Sequence, residues 1–207
     1  MHEPALTRSS SGAARGLVLM LHGGADKGLD AIDERSLSWR RSRWMMHEIR
    51  GKLHDAGLDV WLLRYKVKGW NEQHGPVPSP VPDARWALEQ VRAEHGDLPV
   101  VLLGHSMGGR TAVYVADDPS VVGVVALAPW LPKDESVAPL VGKHLACAHG
   151  RSDKVTSARA TARFVERASA VAASAEMVEM GRVGHYMLRR RGAWNSFAVE
   201  HVKRFMS

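Results

Sequence analysis

Leu102–Thr111 reads LLGHSMGGRT. The apolar run PVVLL, Pro99–Leu103, stops at Gly104. A serine follows two residues later, and Gly108 and Gly109 stand behind it. PVVLL is short and rich in Val and Leu, which predicts a buried strand, whereas MGGRTAVYVADD at 107–118 predicts a helix. A small polar residue therefore sits where a strand turns into a helix, with side-chain bulk removed on both sides. Only a chain that must present that residue, and bring backbones close around it, has reason to do this.

The same alternation extends outward in both directions. GLVLMLHGG, 16–24, is a continuous apolar run ended by glycines and predicts a parallel strand. Helical periodicity covers Leu37–Ala56 and closes at Gly57. LDVWLLRY, 58–65, predicts the next strand. The Pro- and Gly-rich stretch 66–82 predicts a loop. From Asp83 a helix places Ala84, Ala87, Leu88 and Val91 on one face. Strands follow at Val121–Ala128, Leu145–Ala148 and Ala175–Met180. Helices follow at Ser157–Ala173 and around Trp194, Phe197, Ala198 and Val202. Strands alternating with helices predict an α/β fold, a mostly parallel sheet with helices on both faces. The opening residues 1–16, MHEPALTRSSSGAARG, read as a flexible polar segment, and residues 17–207 as one domain. No repeat or internal linker interrupts it.

Bulk properties exclude several classes. Hydrophobic residues make up 45% and charged residues 24%, an ordinary globular balance. The single cysteine, Cys147, lies in the apolar stretch HLACAHG and reads as a core residue; one cysteine permits neither an internal disulfide nor a thiolate zinc cluster. The histidines show no H-E-x-x-H pair, and neither phosphate-loop pattern is present, so no metal and no cofactor are expected. No run reaches the roughly 18–20 apolar residues that span a bilayer, and the start lacks the apolar core of a secretory signal, so a cytoplasmic location is expected. The net charge is +6. Its basic stretch, Arg35–Arg50, interleaves with Trp39, Trp44, Met45 and Ile49 at helical spacing, which reads as a solvated helix face. No nucleic-acid partner is expected.

Ligands of parallel α/β sheets bind at the carboxyl ends of the strands. Four loops leave those ends with polar residues: His22-Gly23-Gly24, Gly104–Gly109, Gly150-Arg151-Ser152-Asp153 and Gly181–His185. Gly104-x-Ser106-x-Gly108 matches the nucleophile elbow, a turn so tight that the serine takes strained dihedrals and its neighbours must be glycine. The pattern alone arises by chance roughly one time in ten in a chain of this length; its strand–turn–helix context makes it specific. A hydroxyl needs a base, and the base an orienting carboxylate. His185 and Asp153 suit those roles. The amides of Met107, next to the serine, and Gly24, in the HGG turn, suit an oxyanion hole. Bland readings stand beside these: Ser106 as a turn residue, His185 as one of 11 histidines, and His22 and His105 as structural. Asp26, Asp134 and Glu135 also follow strands, with Asp153 preferred. Trp70 and Trp130 fit pocket walls or core aromatics equally.

With these residues in place, the chain resembles α/β-hydrolase-fold serine hydrolases of the small, uncapped esterase-like kind, from about Leu17 to Phe205. APW at 128–130 and GHYML at 184–188 are similar to what that family places around its pocket. The family commonly has two further strands before the HG turn. Only 16 residues precede Leu17 here, so the resemblance implies about six strands. The segment WLPKDESVAPLVGK, 130–143, stands where the family often inserts a helical cap, so the cap is expected to be minimal or absent.

The expected activity is hydrolysis of carboxylic esters of small molecules through an acyl-enzyme. Thioesters or lactones of the dienelactone type suit the same machinery, and amides are not separated from them. The contrasting reading is a non-catalytic module that holds an acidic partner or a membrane surface on the basic helix face. Binding that survives loss of Ser106 and falls with salt would mark it. Acyl length, leaving group and oligomeric state stay open.

Overall fold

The computed structural model describes residues 3–207, so the first two residues of the expected polar lead-in lie outside the described residues. One seven-stranded sheet forms the centre. Its strands are β1 (Ala5–Ser9), β2 (Gly16–Leu21), β3 (Leu58–Arg64), β4 (Val100–His105), β5 (Val121–Leu127), β6 (His144–His149) and β7 (Ser174–Glu179), in spatial order β1-β3-β2-β4-β5-β6-β7. All neighbours are parallel except β1, which runs antiparallel to β3. The helices are α1 (Leu37–His54), α2 (Pro80–His95), α3 (Met107–Tyr114), α4 (Ala158–Ala168) and α5 (Arg191–Phe205).

Period-two alternation sorts the core into two layers. Leu17, Leu19 and Leu21 point to one face, where they join Ala84, Leu88 and Val91 of α2, Ala112 of α3 and Phe164 of α4. Val18 and Met20 point to the other, against Met46 and Ile49 of α1 and Trp194 and Val202 of α5. Helices thus cover both faces, which is why β2 and β4 are apolar throughout. Between β5 and β6 the chain inserts no α-helix, only the short 3-10 turn Ala138–Leu140. Among the described residues no helix is long and apolar enough to cross a membrane.

The sheet has seven strands rather than about six. The additional one, β1, comes from the polar lead-in expected to be flexible. Its five residues, ALTRS, are half-exposed, so they carry no apolar run to betray a strand. They are held instead by ladder bonds to β3 and by Arg8, whose guanidinium lies 4.6 Å from the Trp61 ring. Buried Asp59 accepts bonds from the Ser11 amide (2.6 Å) and hydroxyl (2.9 Å), tying the β1–β2 connection to β3. Two helix ends also differ. α2 begins at Pro80, because prolines at first-turn positions lack only amides that no helix would use. α4 ends at Ala168 rather than Ala173, and residues 169–173 turn the chain into β7.

The sheet order fixes where a ligand can sit. From β2 the chain goes to β3 on one side, then crosses to β4 on the other. This reversal opens a crevice between the carboxyl ends of β2 and β4. His22 directly follows β2 and His105 ends β4, and both histidines are buried. The His22 Nδ1–H donates to the Gly23 carbonyl (2.6 Å), and its Nε2 accepts from the Tyr65 amide (3.3 Å). His105 Nε2–H donates to the His185 carbonyl (3.0 Å). Burial lowers the pKa of His22 to about 4. Burial, reinforced by neighbouring His185, lowers that of His105 to about 3. Both rings are neutral in the folded protein at pH 7.

A histidine in the unfolded chain titrates near 6.5. Below that pH the unfolded chain binds protons that the folded one refuses, so the stability these two rings contribute is present above about 6.5 and is lost as pH falls toward 4. Urea unfolding is expected to show a loss of a few kcal/mol between pH 7 and 5. His105→Gln is expected to flatten that slope. A midpoint independent of pH over this range contradicts the assignment.

Candidate active site

Ser106 stands between β4 and α3 with φ +56° and ψ −118°, a strained conformation costing about 1–3 kcal/mol for a residue with a side chain. The surroundings hold it there. Its amide donates to the Leu127 carbonyl (3.0 Å), and its own carbonyl accepts from Gly109, Arg110 and Trp130 amides. The glycines are required by close approach. A Cβ on Gly104 would overlap the Gly108 carbonyl, and one on Gly108 would overlap the Leu21 carbonyl of β2. The expected elbow geometry is therefore present, with the hydroxyl at the mouth of the β2/β4 crevice.

Three loops converge on that hydroxyl. His185 Nε2 lies 3.0 Å from Ser106 Oγ. His185 Nδ1 lies 2.8 Å from Asp153 Oδ2, so this nitrogen donates to the carboxylate and Nε2 is left to accept from the hydroxyl. All three side chains are buried or nearly so. The loop after β6 carries Asp153 in a tight turn closed by its own carboxylate, whose Oδ1 accepts from the Val155 (2.7 Å) and Thr156 (2.9 Å) amides. Burial pushes the Asp153 pKa up. The bonds from the Thr156 amide, His185 and the Val155 amide outweigh it and hold the carboxyl below its ordinary value. The group is ionised across the neutral range.

Two residues of this network carry no signal that sequence reasoning used. Thr156 Oγ lies 2.9 Å from Asp153 Oδ2 and 3.1 Å from His185 Nδ1. His149, fully buried at the end of β6, places Nε2 3.1 Å from the same Asp153 oxygen and Nδ1 2.9 Å from the Thr161 hydroxyl. Burial lowers the His149 pKa, which favours the neutral ring, and its Nε2 also lies 3.3 Å from the Thr156 hydroxyl. The position of His149 after an apolar strand, four residues before Asp153, is the clue that could have singled it out.

The other expected residues divide. Gly24 lines the crevice beside Ser106. A Cβ there would overlap the Lys68 carbonyl and the Met107 thioether. Among the described residues neither the Gly24 amide nor the Met107 amide donates to any protein group, which leaves both available to a ligand. Glu135 is spent on Arg110, and Asp26 and Asp134 are exposed without contact to His185, so Asp153 is the carboxylate brought to the histidine.

Trp70 and Trp130 do not line the crevice. Trp70 is fully buried, and the two rings, 6.0 Å apart, enclose the Arg110 guanidinium at 4.1 and 4.6 Å. Of the two readings open in the sequence, Trp70 takes the core one, and Trp130, half-buried, packs against the same core. The actual walls are the start of α1, the histidine loop and the loops after β2 and β3: Ile32, Leu37, Arg41, Lys68, Tyr186 and Leu188 border a cleft of about 620 Å³. A hollow of about 680 Å³ between Lys133 and Arg167 holds no nucleophile.

An imidazole against a hydroxyl, an ionised carboxylate behind it and two free amides beside it can deprotonate the hydroxyl as it attacks a carbonyl, and hold the resulting oxyanion. The comparisons agree with this class of chemistry. Residues 42–147 match the family model described as serine aminopeptidase, S33. Among solved structures, the chain is similar to an alpha-beta serine hydrolase homologue from Coxiella burnetii (14% identity, TM-score 0.71, 97% of this chain and 92% of that one). It is similar also to a serine hydrolase without lid from Xanthomonas campestris (15%, 0.69, 97% and 88%). An esterase from Pyrococcus furiosus gives 16% identity and a TM-score of 0.70, over 100% of this chain and 92% of that one. No curated protein matches. At such identities the structures speak for the fold, and the family model carries the assignment: the chain belongs to the serine aminopeptidase S33 family of α/β serine hydrolases.

Proposed function

We propose that the chain hydrolyses carboxylic esters of small molecules. The observation that carries this reading is the unbroken line from Ser106 Oγ through His185 to Asp153, at 3.0 and 2.8 Å, opening on an uncapped cleft. In this reading Ser106 Oγ attacks the acyl carbon while His185 Nε2 takes its proton. The Gly24 and Met107 amides hold the oxyanion. The tetrahedral adduct collapses, the C–O bond to the alcohol breaks, and His185 returns the proton to the leaving oxygen. Water then attacks the acyl-enzyme, losing its proton to His185, and the acid departs as Ser106 is reprotonated. Asp153 stays ionised and stabilises the imidazolium. None of these steps needs a cofactor.

Thioesters and lactones would pass through the same steps. The aminopeptidase named in the family description is a less suitable model for the substrate. A free amino terminus would face Arg41 and Lys68, and Asp30 is the single carboxylate among the cleft-lining residues.

Nitrophenyl esters of two to sixteen carbons are expected to be turned over, and Ser106→Ala to lose at least about a thousandfold in kcat/KM. Asp153→Asn is expected to lose about 10³–10⁴ by releasing the imidazole tautomer. If the wild type is inert across the panel and a fluorophosphonate leaves Ser106 unlabelled, the hydrolase reading fails. Thr156 positions Asp153 without touching substrate. Thr156→Val is expected to lower kcat about tenfold, the worth of one hydrogen bond to a charged group, with KM unchanged. Thr156→Ser, which keeps the hydroxyl, is expected to restore it.

A further inference from the structure

Arg41 projects from the first turns of α1 into the same cleft as Ser106 and His185. Its guanidinium lies 4.7 Å from the Tyr186 ring, the residue next to His185. It is half-buried, and burial works against its charge. Seven other arginines reach a carboxylate. Arg41 has no ion pair and no hydrogen bond among the described residues. A cation that loses hydration and gains no anionic or hydrogen-bonding protein partner is a cost the fold does not need, since a solvated position lies one residue away at Arg40.

The surroundings favour an anion beside it. Lys68 borders the cleft and is likewise free of ion pairs among the described residues. The first turn of α1 contains no acidic residue, and Ser38 lines the same wall. Asp30 is the one opposing charge among the lining residues, against two cations. A planar guanidinium with five donors matches a carboxylate bidentately, and the Tyr186 ring steadies it from one face. Exposed Leu37 and Leu188 flank this point, so the wall offers apolar contact to a short chain and a charge beyond it.

We propose that the cleft selects esters bearing a second, anionic group, a carboxylate held by Arg41 with Lys68 adding attraction. This rests on the ester-hydrolase reading and narrows it to a substrate class. In such a substrate the charge lies away from the reacting carbonyl, so the contact places the ester against Ser106 without entering the chemistry.

Two matched pairs test it. In one the carboxylate is on the acyl side: mono-4-nitrophenyl glutarate against 4-nitrophenyl pentanoate. In the other it is on the alcohol side: 3-acetoxyphenylacetate against its methyl amide. The readout is the ratio of kcat/KM for the anionic over the neutral partner, taken within one protein sample, so a partly inactive preparation cancels. In the wild type one pair is expected to give a ratio above unity that falls with added salt. Arg41→Gln is expected to reduce that ratio about tenfold or more, the worth of a charge-assisted contact. Arg41→Lys should recover part of it, and Lys68→Gln should lower it by less.

A ratio that Arg41→Gln leaves unchanged, or a wild type that prefers the neutral partner in both pairs, overturns the proposal while the hydrolase reading stands. A wild type that turns over no member of either pair also overturns it. Fluorophosphonate labelling of Ser106 then decides whether the hydrolase reading falls with it.

Discussion

The site depends on a backbone contact: the Cα of Gly108 rests against the Leu21 carbonyl at the end of β2. No side chain fits there, so α3 can lie close enough to the sheet to hold Ser106 in its strained turn. The contact also sets the distance between the ends of β2 and β4. The HGG turn is thereby brought beside the serine, with Gly23 against Ser106 Cβ and Gly24 against Met107. Strain at one residue is tolerable because four backbone hydrogen bonds, to β5 and to residues 109, 110 and 130, fix it from both sides.

Behind the serine the electrostatics follow a second rule. Buried Asp153 would resist ionisation alone, yet it is surrounded by donors: two amides of its own turn, Thr156 and His185. Such a carboxylate is satisfied before any substrate arrives. His105 supports the same end of the molecule differently, through the bond from its neutral ring to the carbonyl of His185. The histidine is therefore fixed at its ring by Asp153 and at its backbone by β4.

Much of this was legible in the sequence because the signals were local. Apolar runs located β2 to β7, and glycine spacing located the elbow. The residues ending the strands, Ser106, Asp153 and His185, were named because a parallel sheet brings strand ends to one edge. What was hidden depended on contacts between distant segments. β1 is polar and edge-bound, so its pairing with β3 leaves no periodicity. Thr156 is a common residue whose role appears only when the β6 loop folds back on Asp153. The tryptophans could not be placed, since their packing around Arg110 joins segments distant in sequence. Arg41 looked like one of a row of solvated cations, and only its depth and its place on the cleft wall separate it from Arg40 and Arg43.

The position of β2 at the middle of the sheet has a consequence for how the chain is made. β2 leaves the ribosome before both of its core neighbours, β3, at 58–64, and β4, at 100–105. Until residues 100–105 have been synthesised, β2 carries six buried-type residues and at least one open row of amides and carbonyls. An apolar strand with an unpaired edge is the species most prone to pair with another chain. A nascent chain stalled before residue 100 would present that edge, and the arrival of β4 both covers it and delivers the serine to its glycine-lined turn.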